Sequence, residues 1–168
     1  LVGSEMCIRD SVAASWDHVI AWHWARSETT HAYTQLLHGI AEPLCVVLDG
    51  GQGAYSAIKA CWPTTLIQRC LVHAQRVIRR YTTSRPRTDA GKAIYALALK
   101  LTKITTLDQA REWTLRLHDF GVVYKGFLNE KTPVPQERRT VNHQWEYTHI
   151  RVRKAYNSLL HLSLIHIS

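Results

Sequence analysis

The spacing of apolar residues is mixed in the first half of the chain and helical in the second. Residues 12–16 and 19–24 are rich in β-branched and aromatic side chains and predict two strands, the second alternating apolar and polar only loosely. Residues 31–40 set Ala32, Leu36, Leu37 and Ile40 on one helical face, with Thr29 and Thr30 placed to cap its start. After Pro43 comes a continuous apolar run at 44–48 (LCVVL), the pattern of a strand buried on both faces. Asp49-Gly50-Gly51-Gln52-Gly53 then predicts a tight turn, and 54–60 a helix that stops before Pro63. Residues 65–71 (TLIQRCL) repeat the strand pattern, and 74–81 read as a basic helix. Alternation of this kind argues for an α/β fold with a mixed or parallel sheet.

Beyond residue 81 the pattern is helical. Residues 91–103 carry Ile94, Leu97, Ala98 and Leu101 on one face. Thr106 and Gln109 form a capping-box pair that opens a second helix, in which Leu107, Ala110, Trp113, Leu117, Phe120 and Tyr124 recur at helical spacing. Pro133 and Pro135 make 131–139 a loop, and 147–160 predict a third, basic helix.

Composition narrows the classes. With 46% hydrophobic and 20% charged residues, the 168-residue chain carries enough apolar side chains for a core, which excludes a disordered basic tail. No apolar run approaches the roughly 20 residues of a membrane span. Four cysteines are too few for a disulfide scaffold and point to a reducing compartment. The formal charge of +8 points to a polyanion, with nucleic acid the commonest choice.

The two ends change that picture. Residues 5–11 (EMCIRDS) and 162–168 (LSLIHIS) permit back-translations that are reverse complements of each other. The shared string resembles the end sequence ligated onto fragments in transposon-based sequencing libraries. Residues 1–11 and 162–168 are therefore expected to be foreign, and 12–161 to be an internal piece of a longer protein. Without the ends the charge is +9, divided into −2 over residues 12–68 and +11 over residues 69–161. A polyanion-facing surface is expected in the second part, and a metal site in the first.

Asp49 ends an apolar strand and opens a glycine-rich turn. Ligands of open α/β sheets gather at the carboxyl ends of strands, and a carboxylate fixed there suits a hard cation such as Mg²⁺ or Mn²⁺. An aspartate at a turn also serves simply to shape it, and the sequence leaves both roles open.

Further pattern follows downstream. Asp49-Gly50, Trp62-Pro63 and Gln68-Arg69-Cys70-Leu71-Val72-His73 occur in one order and at close spacing. This stretch resembles the DDE transposases of bacterial insertion sequences and the related Mutator-like elements. Ile20-Ala21-Trp22, Glu28 and Leu36-Leu37 fit the region before it, and Trp145, Tyr147-Thr148-His149, Arg151, Arg153 and Ala155 fit the helical region after it. The resemblance implies a truncated RNase H-like catalytic core over 12–81 and a basic helical insertion over 82–161. It implies metal-dependent DNA cleavage and strand transfer, with Mg²⁺ or Mn²⁺ held by two aspartates and a glutamate, and Asp49 as the second of these. The first acid is expected before residue 12 and the third after residue 161, because Asp17 falls on the wrong strand and Glu146 in the wrong segment. The chain as it stands is accordingly expected to be inactive. DNA (element ends and target), a homo-oligomeric full-length enzyme, and a cytoplasmic, nucleoid-associated location are implied in the same way.

Cys70 and His73 read either as a buried thiol and a positioned imidazole beside the active site or as half of a zinc site. Arg69, Arg76, Arg79 and Arg80 are the candidate DNA contacts, followed by Arg85 and Arg87. Arg76, Arg79 and Arg80 share one face of a helix. Another RNase H-like nuclease or integrase, and a catalytically dead DNA-binding relative, are the alternatives.

Overall fold

A computed structural model of the chain describes residues 9–14 and 19–165. Expectations placed on residues 1–8, 15–18 and 166–168, Asp17 included, lie outside the described residues. The fold is mixed α/β and divides into two compact units, Leu1–Cys70 and Leu71–Ser168.

In the first unit β1 (Arg9–Ala14) and β2 (Val19–Ala25) form an antiparallel pair running from Arg9 opposite Ala25 to Ala14 opposite Val19. β1 thus takes in three residues of the run set aside at the N-terminus. Trp22 and Trp24 project from one face of β2, with ring centroids 6.0 Å apart and edge-on, and both are exposed. Helix α1 (Thr30–Leu37) starts at Thr29, whose hydroxyl accepts from the Ala32 amide at 3.2 Å. It packs on β2 and on α2 (Gln52–Cys61). β3 (Cys45–Leu48) and β4 (Leu66–Arg69) pair in parallel, with Leu48 opposite Arg69.

Two expectations fail here. The strands do not form one mixed sheet: β1–β2 and β3–β4 are separate two-stranded ladders among the described residues. The run 44–48 is not buried on both faces either. Leu44 is 92% exposed, Val47 63% and Leu66, opposite Cys45 on β4, 70%. A lone parallel pair has no flanking strands, and α1 and α2 bury their apolar faces largely on each other. Cys45, expected inside a buried strand, is exposed for the same reason.

The β3–β4 register is held from its entrance. Glu42 Oε1 accepts from the Thr64 amide (2.9 Å) and the Thr64 hydroxyl (2.7 Å), while the buried Thr65 hydroxyl donates to Pro43 O at 2.7 Å. The Thr64 hydroxyl, aided by the Thr64 amide and Thr65, holds the Glu42 carboxyl below its ordinary value of 4.5. A lowered folded-state pKa stabilises the fold above the unfolded value and ceases to do so as pH falls through the folded value. Glu42→Gln should therefore lower the melting temperature at pH 7, and the difference from wild type should shrink as pH falls below 4.5 and vanish once it has passed the lowered folded-state value. A gap that persists unchanged in acid would refute this account.

The second unit is built on helices. α3 (Leu71–Thr82), α4 (Asp89–Leu101), α5 (Leu107–Val123), the short α6 (Lys125–Asn129) and α7 (Ile150–Ile165) surround a core that includes Ile78, Ile94, Leu97, Trp113, Leu117, Phe120 and Leu159. The expected face of α4 is buried in full: Ile94, Leu97, Ala98 and Leu101 are each under one-tenth exposed. Trp113 donates its indole N–H to Leu97 O at 2.9 Å, so a large ring is buried without an orphaned donor. The Thr106 hydroxyl accepts from the Gln109 amide, and the Gln109 side chain reaches back to the Thr105 amide at 2.9 Å. Leu107, placed on the inner face by spacing, is 77% exposed because it occupies the first helical position.

The region 82–161 is also not purely helical. β5 (Lys131–Pro133) and β6 (Trp145–Tyr147) pair antiparallel, and a 3₁₀ turn covers Gln136–Arg138. The expected loop thus has internal structure anchored by the fully buried Val134. Pairing of 145–147 moves the start of the last helix from 147 to Ile150, and that helix continues to Ile165, into the run set aside at the C-terminus.

Candidate active site

The parallel register delivers two chemically active side chains to one turn. β3 ends at Leu48, so Asp49 is the first residue beyond the ladder, while Arg69 is the last residue of β4. The Cys70 amide extends the pairing by donating to Leu48 O at 2.6 Å. Asp49 Oδ1 accepts from the Gly51 amide at 3.1 Å, which is the turn-shaping role. Asp49 is exposed, and this bond engages one of its two oxygens.

The glycines differ in function. Gly50 has φ +108°, a conformation open to glycine but strained for other residues. Arg69 lies across its open face, so a Cβ at 50 would come within 2.7 Å of Arg69 Cζ. Gly51 precedes α2 without a side-chain cap. At Gly53, helix α2 meets the entrance to α1: a Cβ would stand 2.7 Å from Glu28 O and 3.2 Å from Thr30 N. Gly53→Ala should therefore destabilise the first unit although alanine favours a helix by about 1 kcal/mol. Thermal unfolding checks the sign, and a stabilised variant would show that the two backbones can separate.

Of the other candidates, Cys70 closes the first unit as a half-buried cysteine outside any disulfide, and His73, also half-buried, lies on α3 in the second. The Cys-x-x-His run, contiguous in sequence, is thus divided between the two units. Among the described residues no group of three or more His, Cys, Asp or Glu side chains is arranged to hold a metal ion. Asp49 offers one hard oxygen ligand, short of the set a bound divalent ion requires.

Arg76, Arg79 and Arg80 are exposed on α3, opposite the buried Ala74, Ile78 and Thr82, and Arg85 and Arg87 are exposed in the segment before α4. The basic residues of the later segment serve internal structure, a role the sequence reading misses. Arg151 donates to Arg80 O (2.7 Å) and Tyr81 O (2.9 Å) at the end of α3, satisfying carbonyls that a helix end leaves open. Arg153 lies 4.0 Å over the Tyr147 ring and donates to Leu128 O at 3.1 Å. The ring of His149 stacks on Phe127 at 3.6 Å. Glu146 lies 3.7 Å from Arg138 Nη2, on β6. The helical pattern of Arg151 and Arg153 was visible in sequence, but their carbonyl partners lie too far along the chain to be read from it.

Residues 17–120 match the family described as Transposase, Mutator family. A 73-residue stretch is 30% identical to a protein described as a probable transposase for an insertion sequence element from Corynebacterium diphtheriae. The matched stretch covers 42% of this chain and 21% of that relative, so the chain spans about a fifth of the relative's length. No solved structure matches. No described helix is long and apolar enough to cross a membrane.

Proposed function

Because the chain belongs to the Mutator family of transposases, we propose that it is part of an insertion-sequence transposase that cuts and rejoins DNA at the ends of its element. The observation that carries this reading is the position of Asp49. It stands at the carboxyl end of β3, beside the end of the parallel strand β4, in a turn that leaves one of its carboxylate oxygens open. In an RNase H-like core this is where an acidic ligand belongs, and we assign Asp49 as the second of the three catalytic acids. The first and third belong to sequence outside residues 12–161. A pair of Mg²⁺ or Mn²⁺ ions held by the complete trio would supply a deprotonated nucleophile and stabilise the leaving oxygen.

The residues of this chain do the remaining work. Asp49, fixed by the Gly51 amide, contributes one ligand oxygen without a change of rotamer. Arg69, Arg76, Arg79 and Arg80 contact DNA phosphates, the last three from one exposed helix face whose opposite side is anchored in the core. We assign a positioning role to Cys70, which follows β4, and to His73 on α3. The partners are the terminal inverted repeats, target DNA and further copies of the enzyme, in the bacterial cytoplasm at the nucleoid.

The test compares the longer transposase containing residues 12–161 with the 168-residue chain. Supplied with a duplex bearing the element end, the longer protein should release a cut strand in Mg²⁺ or Mn²⁺ and none with a chelator. The 168-residue chain should release none in either condition. Cutting that survives chelation, or cutting by the short chain, would overturn the proposal.

A further inference from the structure

Arg69 stands apart from the other arginines assigned to DNA. It is half-buried rather than exposed, it ends a strand rather than lying on a helix face, and its guanidinium rests on the backbone of Gly50, next to Asp49. That resting place exists because residue 50 has neither a Cβ nor a negative φ: any side chain there would meet Arg69 Cζ at 2.7 Å and Nε at 3.2 Å. Despite its closeness to Asp49, Arg69 makes no ion pair or hydrogen bond with that carboxylate or with another side chain among the described residues. Asp49 Oδ1 is instead taken up by Gly51. A planar cation with five donors is thus held at the mouth of the turn with its donors uncommitted.

We propose that Arg69 grips the phosphodiester that reacts at Asp49, and that Gly50 is the residue that lets it lie there. The inference rests on the transposase reading and narrows it. A guanidinium fork matches two non-bridging phosphate oxygens, which lysine cannot do from a single ammonium. Placed beside Asp49, such a fork fixes which phosphate of the backbone meets the catalytic turn. Arg76, Arg79 and Arg80, exposed on α3, add attraction spread over many phosphates.

The experiment uses the longer transposase and two duplexes bearing the element end. One is unmodified; the other carries a single uncharged methylphosphonate at the cleavage position. Binding is measured in Ca²⁺ over a range of salt concentrations. Arg69→Ala should weaken binding to the unmodified duplex about tenfold. It should cost nothing further on the methylphosphonate duplex, whose own loss already includes that contact. Arg69→Lys, which keeps the charge and the stem, should recover only part of the affinity, and Gly50→Ala should reproduce the Arg69→Ala pattern. Arg76→Ala combined with Arg79→Ala should weaken both duplexes equally and flatten the salt dependence.

Equal losses on both duplexes for Arg69→Ala and Arg69→Lys would overturn the proposal. If Arg69→Ala does not fold, Arg69→Lys alone decides: a loss confined to the unmodified duplex supports the contact, and no loss or an equal loss refutes it. A wild-type protein that does not bind the element end would instead remove the transposase reading itself, so the two failures are distinguishable.

Discussion

Asp49→Asn in the longer transposase is expected to reduce strand cleavage by on the order of 10³-fold, leaving the fold and DNA affinity unchanged. Asparagine keeps the carbonyl oxygen that accepts from the Gly51 amide, so the turn between β3 and α2 should survive the change. What is lost is the negative charge, and with it a strong hard-oxygen ligand. The substitution therefore separates the two roles that the sequence leaves open. An aspartate that only shapes the turn would be replaced without effect on rate. Single-turnover cleavage by the variant at the wild-type rate, with unchanged circular dichroism, would show that Asp49 is structural.

Ile94→Ala should have the largest effect on stability. Ile94 is fully buried in the middle of α4, within the same core as Ile78, Leu117 and Leu159. Removing three carbons there loses their transfer free energy and leaves a cavity that rigid helices cannot close, at a cost of about 3 kcal/mol. For a unit of this size the melting temperature should fall by roughly 10–20 °C. Leu99→Ala, on the same helix but 42% exposed, is the control and should shift it by no more than a few degrees. Scanning calorimetry measures both, and similar shifts for the two variants would mean that this core is loosely packed.

The residues that were legible in sequence carry strong local signals. Ile94, Leu97, Ala98 and Leu101 recur at the helical period, and all four are buried. Thr29 and Thr106 cap as their positions suggest, because a cap bond spans only three residues. The position of Asp49 followed from an apolar run ending at a glycine turn. What failed depends on distant partners. An apolar run reveals that a strand prefers to be covered, not how many layers cover it, and Val47 stands exposed. Three-residue strands such as 131–133, ending in a proline, are too short to show a period, so their pairing with 145–147 left no trace. Cys70 and His73 read as one motif since they are three residues apart, yet the division between the compact units falls between them. Arg69 became a neighbour of the Asp49 turn only through the parallel register, which no local pattern specifies.

The contact between Arg151 and the end of α3 has a consequence in time. Its hydrogen bonds join residues 70 and 71 positions apart, and α7 packs along α3 over the same separation. During synthesis at roughly 5–20 residues per second, α3 emerges several seconds before the helix that completes its covering. In that interval α4 is the neighbour that can shield Ala74 and Ile78, and the carbonyls of Arg80 and Tyr81 must be served by water. A ribosome-bound chain halted before Ile150 should therefore show α3 open to protease, and one released past it should not.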